Sequence, residues 1–296
     1  MKTIISADYA CDLPPEIYAQ YDIPTVPYNI ELEGKNYHDN VDIDLPTIYK
    51  IYKERKSFPK TAGVNIGEYL ELWKGLEKEH GEDIAIVHFC LGPKISCAYQ
   101  NCCTAARMWE EEGHKAKVFP INTKTLSSAT GLAVLDACRM NEEGKSVDEI
   151  VKYYDEHPNK YRASFVLDSL EMMHAGGRVS TLKLIATSAL SIRPSIKVQN
   201  ELDGLMDVDK KYRGKLEKVI RQYAEDTLAK YEGKIDYSEA MITMTTNVLP
   251  YDERDIVKEV LDEKAEFKNV YYTDSGCTSG SHAGPGCLGL LFRIFD

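Results

Sequence analysis

The stretch at 84–100, IAIVHFCLGPKISCAYQ, joins a short unbroken apolar run to a Gly-Pro loop and then to the start of a helical pattern. A run without polar alternation is how a strand covered on both faces reads, because its side chains point in turn to helices above and below. Working outward, Cys97 to Glu112 is helical, AKVFPI (116–121) is a second strand, and Ser127 to Glu143 is a second helix. Upstream, TIIS (3–6) reads as a strand and DLPPEIYAQY (12–21) as a helix, with Asp12 as a cap and prolines in its first turn. TVPYNIEL (25–32) reads as a strand turned by EGK (33–35). Asp44 precedes a helix over LPTIYKIYKER, and Ile66 to Glu79 is amphipathic. This β-α-β-α order predicts an α/β unit of the Rossmann-like kind, a parallel sheet with helices on both faces.

The second half has a different texture. YRASFVL (161–167) is a strand, and SLEMMHAGGRVSTLKLIATSAL (169–190) reads as two helices broken at Gly176–Gly177. SIRPSIKV (191–198) and LMDVDK (205–210) are strands joined by NELDG, a hairpin-type turn. A long helix over Arg213 to Tyr231 precedes the strand YSEAMITMTT (237–246), a helix over Tyr251 to Lys264, and strands NVYYTD (269–274) and CLGLLFRIF (287–295). That order predicts an α+β unit with a mixed or antiparallel sheet. The boundary is placed at HPNK (157–160), giving domains 1–160 and 161–296; 296 residues suit two domains.

Bulk composition narrows the function. With 43% hydrophobic and 28% charged residues the chain can build a core, and its net charge of −11 repels phosphate backbones, so nucleic acid is not an expected partner. Eight cysteines without a CxxC pair read as free thiols of a reducing cytoplasm. A strand pattern begins almost at Met1, with no apolar leader segment, and no apolar run is long enough to span a membrane.

Four loops interrupt the regular pattern. In SFPKTAGVNIGEY (57–69), Thr61 stands just ahead of a helix. In HFCLGPKISCAYQNC (88–102), Ser96 opens a helix beyond a strand's carboxyl end, where open α/β sheets bind ligands; it is either a plain cap or part of an anion site. PINTKTLSSATG (120–131) repeats that arrangement with Asn122, Thr123 and Ser127. TDSGCTSGSHAGPGCLGL (273–290) carries His282 among glycines and hydroxyls. Cys277, His282 and Cys287 have ligand chemistry but match no zinc spacing, so neither a metal nor a cofactor is expected. HAGGRVS (174–180) pairs glycines with Arg178, either a helix stop with a surface arginine or an anion contact. No GxxxxGK[ST], GxGxxG, GxSxG or HExxH occurs, and no catalytic constellation stands out.

Taken together, several of these segments resemble the DegV family of bacterial fatty-acid-binding proteins. SADYACDLP is similar to that family's T-D-S-x-x-D-L-P opening, LGPKISCAYQ to S-S-G-L-S-G-T-Y-Q, and INTKTLSSATG to D-S-K-x-x-S-x-G. LEMMHAGGRVS resembles L-x-x-L-x-x-G-G-R-I-S, and GSHAGPGCLGLLF resembles G-x-H-x-G-P-G-x-x-G-x-x-F. The matches run in order along the whole chain. The resemblance implies two domains with one long-chain fatty acid between them, presented to a separate kinase subunit that makes an acyl phosphate. It implies a binding protein rather than an enzyme, cytoplasmic, with transient membrane contact. It carries the carboxylate contacts onto Thr61, Ser96 and His282, and places Arg178 at the head-group mouth. Around Ser96 and Thr61 the chain departs from the family pattern: Cys97-Ala98 stand for Gly-Thr, and Ala62-Gly63-Val64 for Ser-Gln-Pro. The alternative from a different class is a lipid hydrolase or transferase using Ser96 and His282.

Overall fold

β6 (Ile84–Cys90) is buried along all seven residues, and the two faces of that strand feed two different cores. The computed structural model describes residues 1–178 and 192–295. β1 (Lys2–Asp8), β2 (Thr25–Val26) and β7 (Lys117–Asn122) join β6 in a wholly parallel sheet of order β2-β1-β6-β7. Ile4, Ile84 and Ile86 point to the face covered by α3 (Ile66–His80) and α4 (Ala98–Glu111). Ala7, Val87 and Phe89 point to the other face, against α5 (Ser127–Glu142) and α6 (Val147–Glu156). α6 went unread in the sequence, although Ser146 and Glu149 form a capping box at its start.

The N-terminal unit also holds a small sheet that the sequence reading did not separate. Pro27 ends β2, and the chain restarts as β3 (Asn29–Leu32), flanked by β4 (Lys35–His38) and β5 (Lys60–Ala62) in antiparallel order β4-β3-β5. The 57–69 segment is therefore partly a strand, pinned by the register Ile30↔Thr61. α2 (Leu45–Arg55) starts where expected, with the Asp44 carboxylate accepting from Thr47 N. Asp12 is a correction. α1 (Pro15–Tyr21) begins after Pro14 without a side-chain cap, and the Asp12 backbone is left-handed (φ +44°).

The second sheet is mixed, of order β10-β9-β8-β13-β11-β12. β10 (Leu205–Arg213), β9 (Ile192–Gln199), β8 (Tyr161–Val166), β13 (Leu288–Ile294) and β11 (Ile235–Met244) pair antiparallel in turn. β12 (Asn269–Asp274) closes the edge in parallel with β11. α8 (Leu216–Lys230) and α9 (Arg254–Lys264) cover the β11–β13 region with a core of their own. α7 (Glu171–Gly176) stops at Gly177, whose φ of +66° favours glycine. The second helix expected within 169–190 lies outside the described residues. The 273–290 segment, read as a loop, contains α10 (Cys277–Ala283). α5, buried along most of its length, packs against strands of both sheets, and one continuous core runs across them.

Candidate functional site

Between the two sheets lies a slot of about 810 Å³, solvent at its mouth included. One stretch is lined by Thr61, Ser96, Thr278, Ser279, His282 and Arg178. The remainder is largely apolar, with Leu91, Ile95, Leu126, Phe165, Met206 and Leu291 on its walls. Its first-sheet side is built at the carboxyl ends of β6 and β7, the place where open α/β sheets take ligands.

The four residues singled out from the sequence all line this slot. Thr61 is delivered by β5, the edge strand of the small antiparallel sheet. Its Oγ1 shares a hydrogen bond of 2.7 Å with His282 Nε2. Ser96 precedes α4, and its Oγ accepts from Ala98 N at 3.2 Å. Gly63 allows the approach between the two: a Cβ there would sit 2.8 Å from Ser96 Oγ and 3.0 Å from Cys97 Sγ. Arg178 is exposed, and its guanidinium donates to Gly176 O at 2.7 Å.

His282 is held as a neutral imidazole. Burial, with the Arg178 charge nearby, pushes its pKa down to about 4. Its Nδ1 has no hydrogen-bond partner among the described residues and packs on Gly176, where a Cβ would come within 2.1 Å. The two glycines of the GGR segment thus have separate reasons. Gly176 leaves room for the ring, and Gly177 supplies the backbone turn. His282 is bonded to Thr61, and no carboxylate orients its other nitrogen among the described residues. Among the described residues no hydrogen bond joins Ser96 to His282.

Behind the polar stretch, two buried carboxylates hold α10. Asp12 accepts from Gly276 N (2.9 Å), Ser127 Oγ (2.5 Å) and Ser279 Oγ (2.8 Å). Asp39 accepts from Cys277 N (2.7 Å) and Thr278 N (2.8 Å). Burial raises the Asp12 pKa to about 7 in spite of those donors, and burial raises that of Asp39 as well. The leading N–H groups of α10 are consumed inside the protein. Among the described lining residues, Arg178 is the one formally charged side chain.

The family model described as DegV, an uncharacterised protein family, matches residues 2–294. The chain belongs to the DegV family. A DegV domain-containing protein of Caldanaerobacter subterraneus is 31% identical over 298 residues, covering 99% of both chains. A DegV family protein from Thermus thermophilus, solved as a fatty-acid-binding protein, superposes with a TM-score of 0.84 at 21% identity and full coverage of both chains. A DegV family protein from Eubacterium eligens, solved loaded with heptadecanoic acid, superposes with a TM-score of 0.83 at 22% identity, covering 98% of this chain and 99% of that one. These likenesses establish a shared DegV fold.

Two slot features of this DegV chain escaped the sequence reading. Tyr28, read only as part of a strand, lines the slot, and its hydroxyl donates to Asp8 Oδ2 at 3.2 Å. Asp12, read as a helix cap, instead ties Ser127 and Ser279 to the slot wall. Tyr28 gave no signal beyond an aromatic in a strand. Asp12 stands in the quoted DegV opening motif, where its contacts, distant in sequence, are not visible.

Proposed function

We propose that this chain holds one long-chain fatty acid in the slot, its carboxylate at Thr61, Ser96 and His282 and near the mouth at Arg178, and presents that carboxylate to a partner kinase for phosphorylation. The chain acts as a carrier, not as a catalyst, in the cytoplasm, with units 1–160 and 161–296 as the two domains that grip the acid. The observation that carries this reading is the make-up of the slot: hydroxyls, an imidazole and a guanidinium at one stretch, and mainly apolar side chains along the rest, with Ser164 and Thr243 among them. At roughly 0.8 kcal/mol per buried methylene, a long tail supplies about 10 kcal/mol before binding costs. The head group then needs only a few donors, which is how a chain of net charge −11 can hold an anion. The binding of fatty acids by DegV proteins of known structure supports the same reading.

The test is titration of the delipidated chain with stearate. Ser96→Ala and Thr61→Ala should each weaken binding by roughly ten- to hundredfold, the range for losing a hydrogen bond to a charged group. Unchanged affinity in both variants would remove the head-group assignment. With a cognate kinase and ATP, the bound acid should become an acyl phosphate. A chain that binds stearate yet never yields acyl phosphate would remain a carrier without the presenting role.

A further inference from the structure

Behind Tyr28 in the slot wall, the parallel sheet hides a patch whose chemistry its core does not need. Toward the amino ends of β1 and β6, the face under α3 and α4 is apolar, with Ile4, Ile84 and Ile86. Two residues further on, the same face turns to Ser6 and Asp8 on β1 and His88 and Cys90 on β6, following from the two-residue period of a strand. The register pairs Ser6 with His88, and continuing it brings Asp8 level with Cys90. Cys102 enters from α4 above. Asp8, His88, Cys90 and Cys102 are all 0% exposed.

We infer that His88, Cys90 and Cys102 form a three-ligand binding site for a zinc-class divalent cation, with the Asp8 carboxylate beside it. Candidate ligand atoms of His88, Cys90 and Cys102 all lie within 4.8 Å of one another. His88 Nε2 also lies 3.2 Å from Asp8 Oδ1, which sets the carboxylate next to the cluster. Two sulfurs and one imidazole are a donor set that favours zinc over calcium or magnesium. The supporting groups are those a metal-bound histidine needs, with a carboxylate held beside it. Ser6 Oγ engages His88 Nδ1 at 2.8 Å, leaving Nε2 for the cluster. Tyr69 OH donates to Asp8 Oδ1 at 2.8 Å and Tyr28 OH to Oδ2 at 3.2 Å, fixing the carboxylate. A metal entering this cluster displaces the thiol protons and any proton shared by His88 and Asp8. The spacing, H-x-C followed by a distant C, is not a familiar zinc pattern, because the third ligand comes from α4 rather than from the strand.

The test uses the full chain purified without chelator, and it does not depend on whether lipid is bound. Zinc should be present in stoichiometric amount, and should fall to about a tenth or less in Cys90→Ser and in Cys102→Ser while staying unchanged in Cys138→Ser. Chain produced in cobalt-supplemented minimal medium should show thiolate-to-cobalt charge-transfer absorption together with the intense visible bands of a tetrahedral site. The cobalt spectrum decides the matter even where a serine variant fails to fold. Trace zinc in the unaltered chain without the charge-transfer band would overturn the site and leave a buried Asp8–His88 pair beside two plain thiols.

Discussion

A Cβ built on Gly176 would meet His282 Nδ1 at 2.1 Å, whereas one on Gly177 would meet nothing within 4 Å. The adjacent glycines therefore separate space from backbone strain. Gly176→Ala should displace the imidazole, break its bond to Thr61 and lower fatty-acid affinity. Gly177→Ala, at φ +66°, should cost about 1 kcal/mol of stability and leave affinity close to that of the parent chain. Paired titration and denaturant unfolding check both. His282 and Asp12 make opposite contributions to pH dependence. The His282 pKa is about 4 in the folded chain and about 6.5 unfolded, so the unfolded state binds more protons between these values and stability falls on acidification. The Asp12 pKa is about 7 folded and about 4 unfolded, so the folded state binds more protons in that window and stability rises on acidification. His282→Gln should lose less stability than the parent chain between pH 6.5 and 4 (about the two His282 values), and Asp12→Asn should lose more, measured as unfolding midpoints across that range.

α10 shows how an element can hide in a sequence. Cys277–Ala283 has small and polar side chains and no apolar period, so it read as a glycine-rich loop. It is a helix because its leading N–H groups find the Asp12 and Asp39 carboxylates, and because Gly280 lets Leu45 approach to where a Cβ would clash at 2.4 Å. None of these partners is local. Asp39→Ala should leave two buried N–H groups without acceptors and cost roughly 2–5 kcal/mol, read from the shift in denaturant midpoint. The strand at 84–89 was legible because burial on both faces leaves a continuous apolar run. Thr61, Ser96, His282 and Arg178 were legible as slot residues only through their motifs, since no local pattern says that a β5 threonine will meet a histidine 221 positions away.

Across the whole molecule, the two sheets are tied through α5. Arg293 on β13 donates to Asp136 on α5 at 2.6 Å and to Glu239 on β11 at 2.9 Å, while Arg139 on α5 reaches Glu239 at 2.6 Å. Arg293 and Glu239 are almost fully buried, so their charges depend on one another. Arg293→Met should leave two carboxylates short of their cation and cost about 3–5 kcal/mol, whereas exposed pairs such as Lys115–Glu82 should contribute little when broken. That tie holds the two walls of the slot together, and the slot is what the proposed function rests on. Organic extraction of the chain as purified, followed by mass spectrometry of the extract, addresses that function without altering a residue. The expected result is one long-chain fatty acid per chain, retained through purification. Repeated preparations that release no acyl species, from a chain that then also fails to take up added stearate, would contradict it.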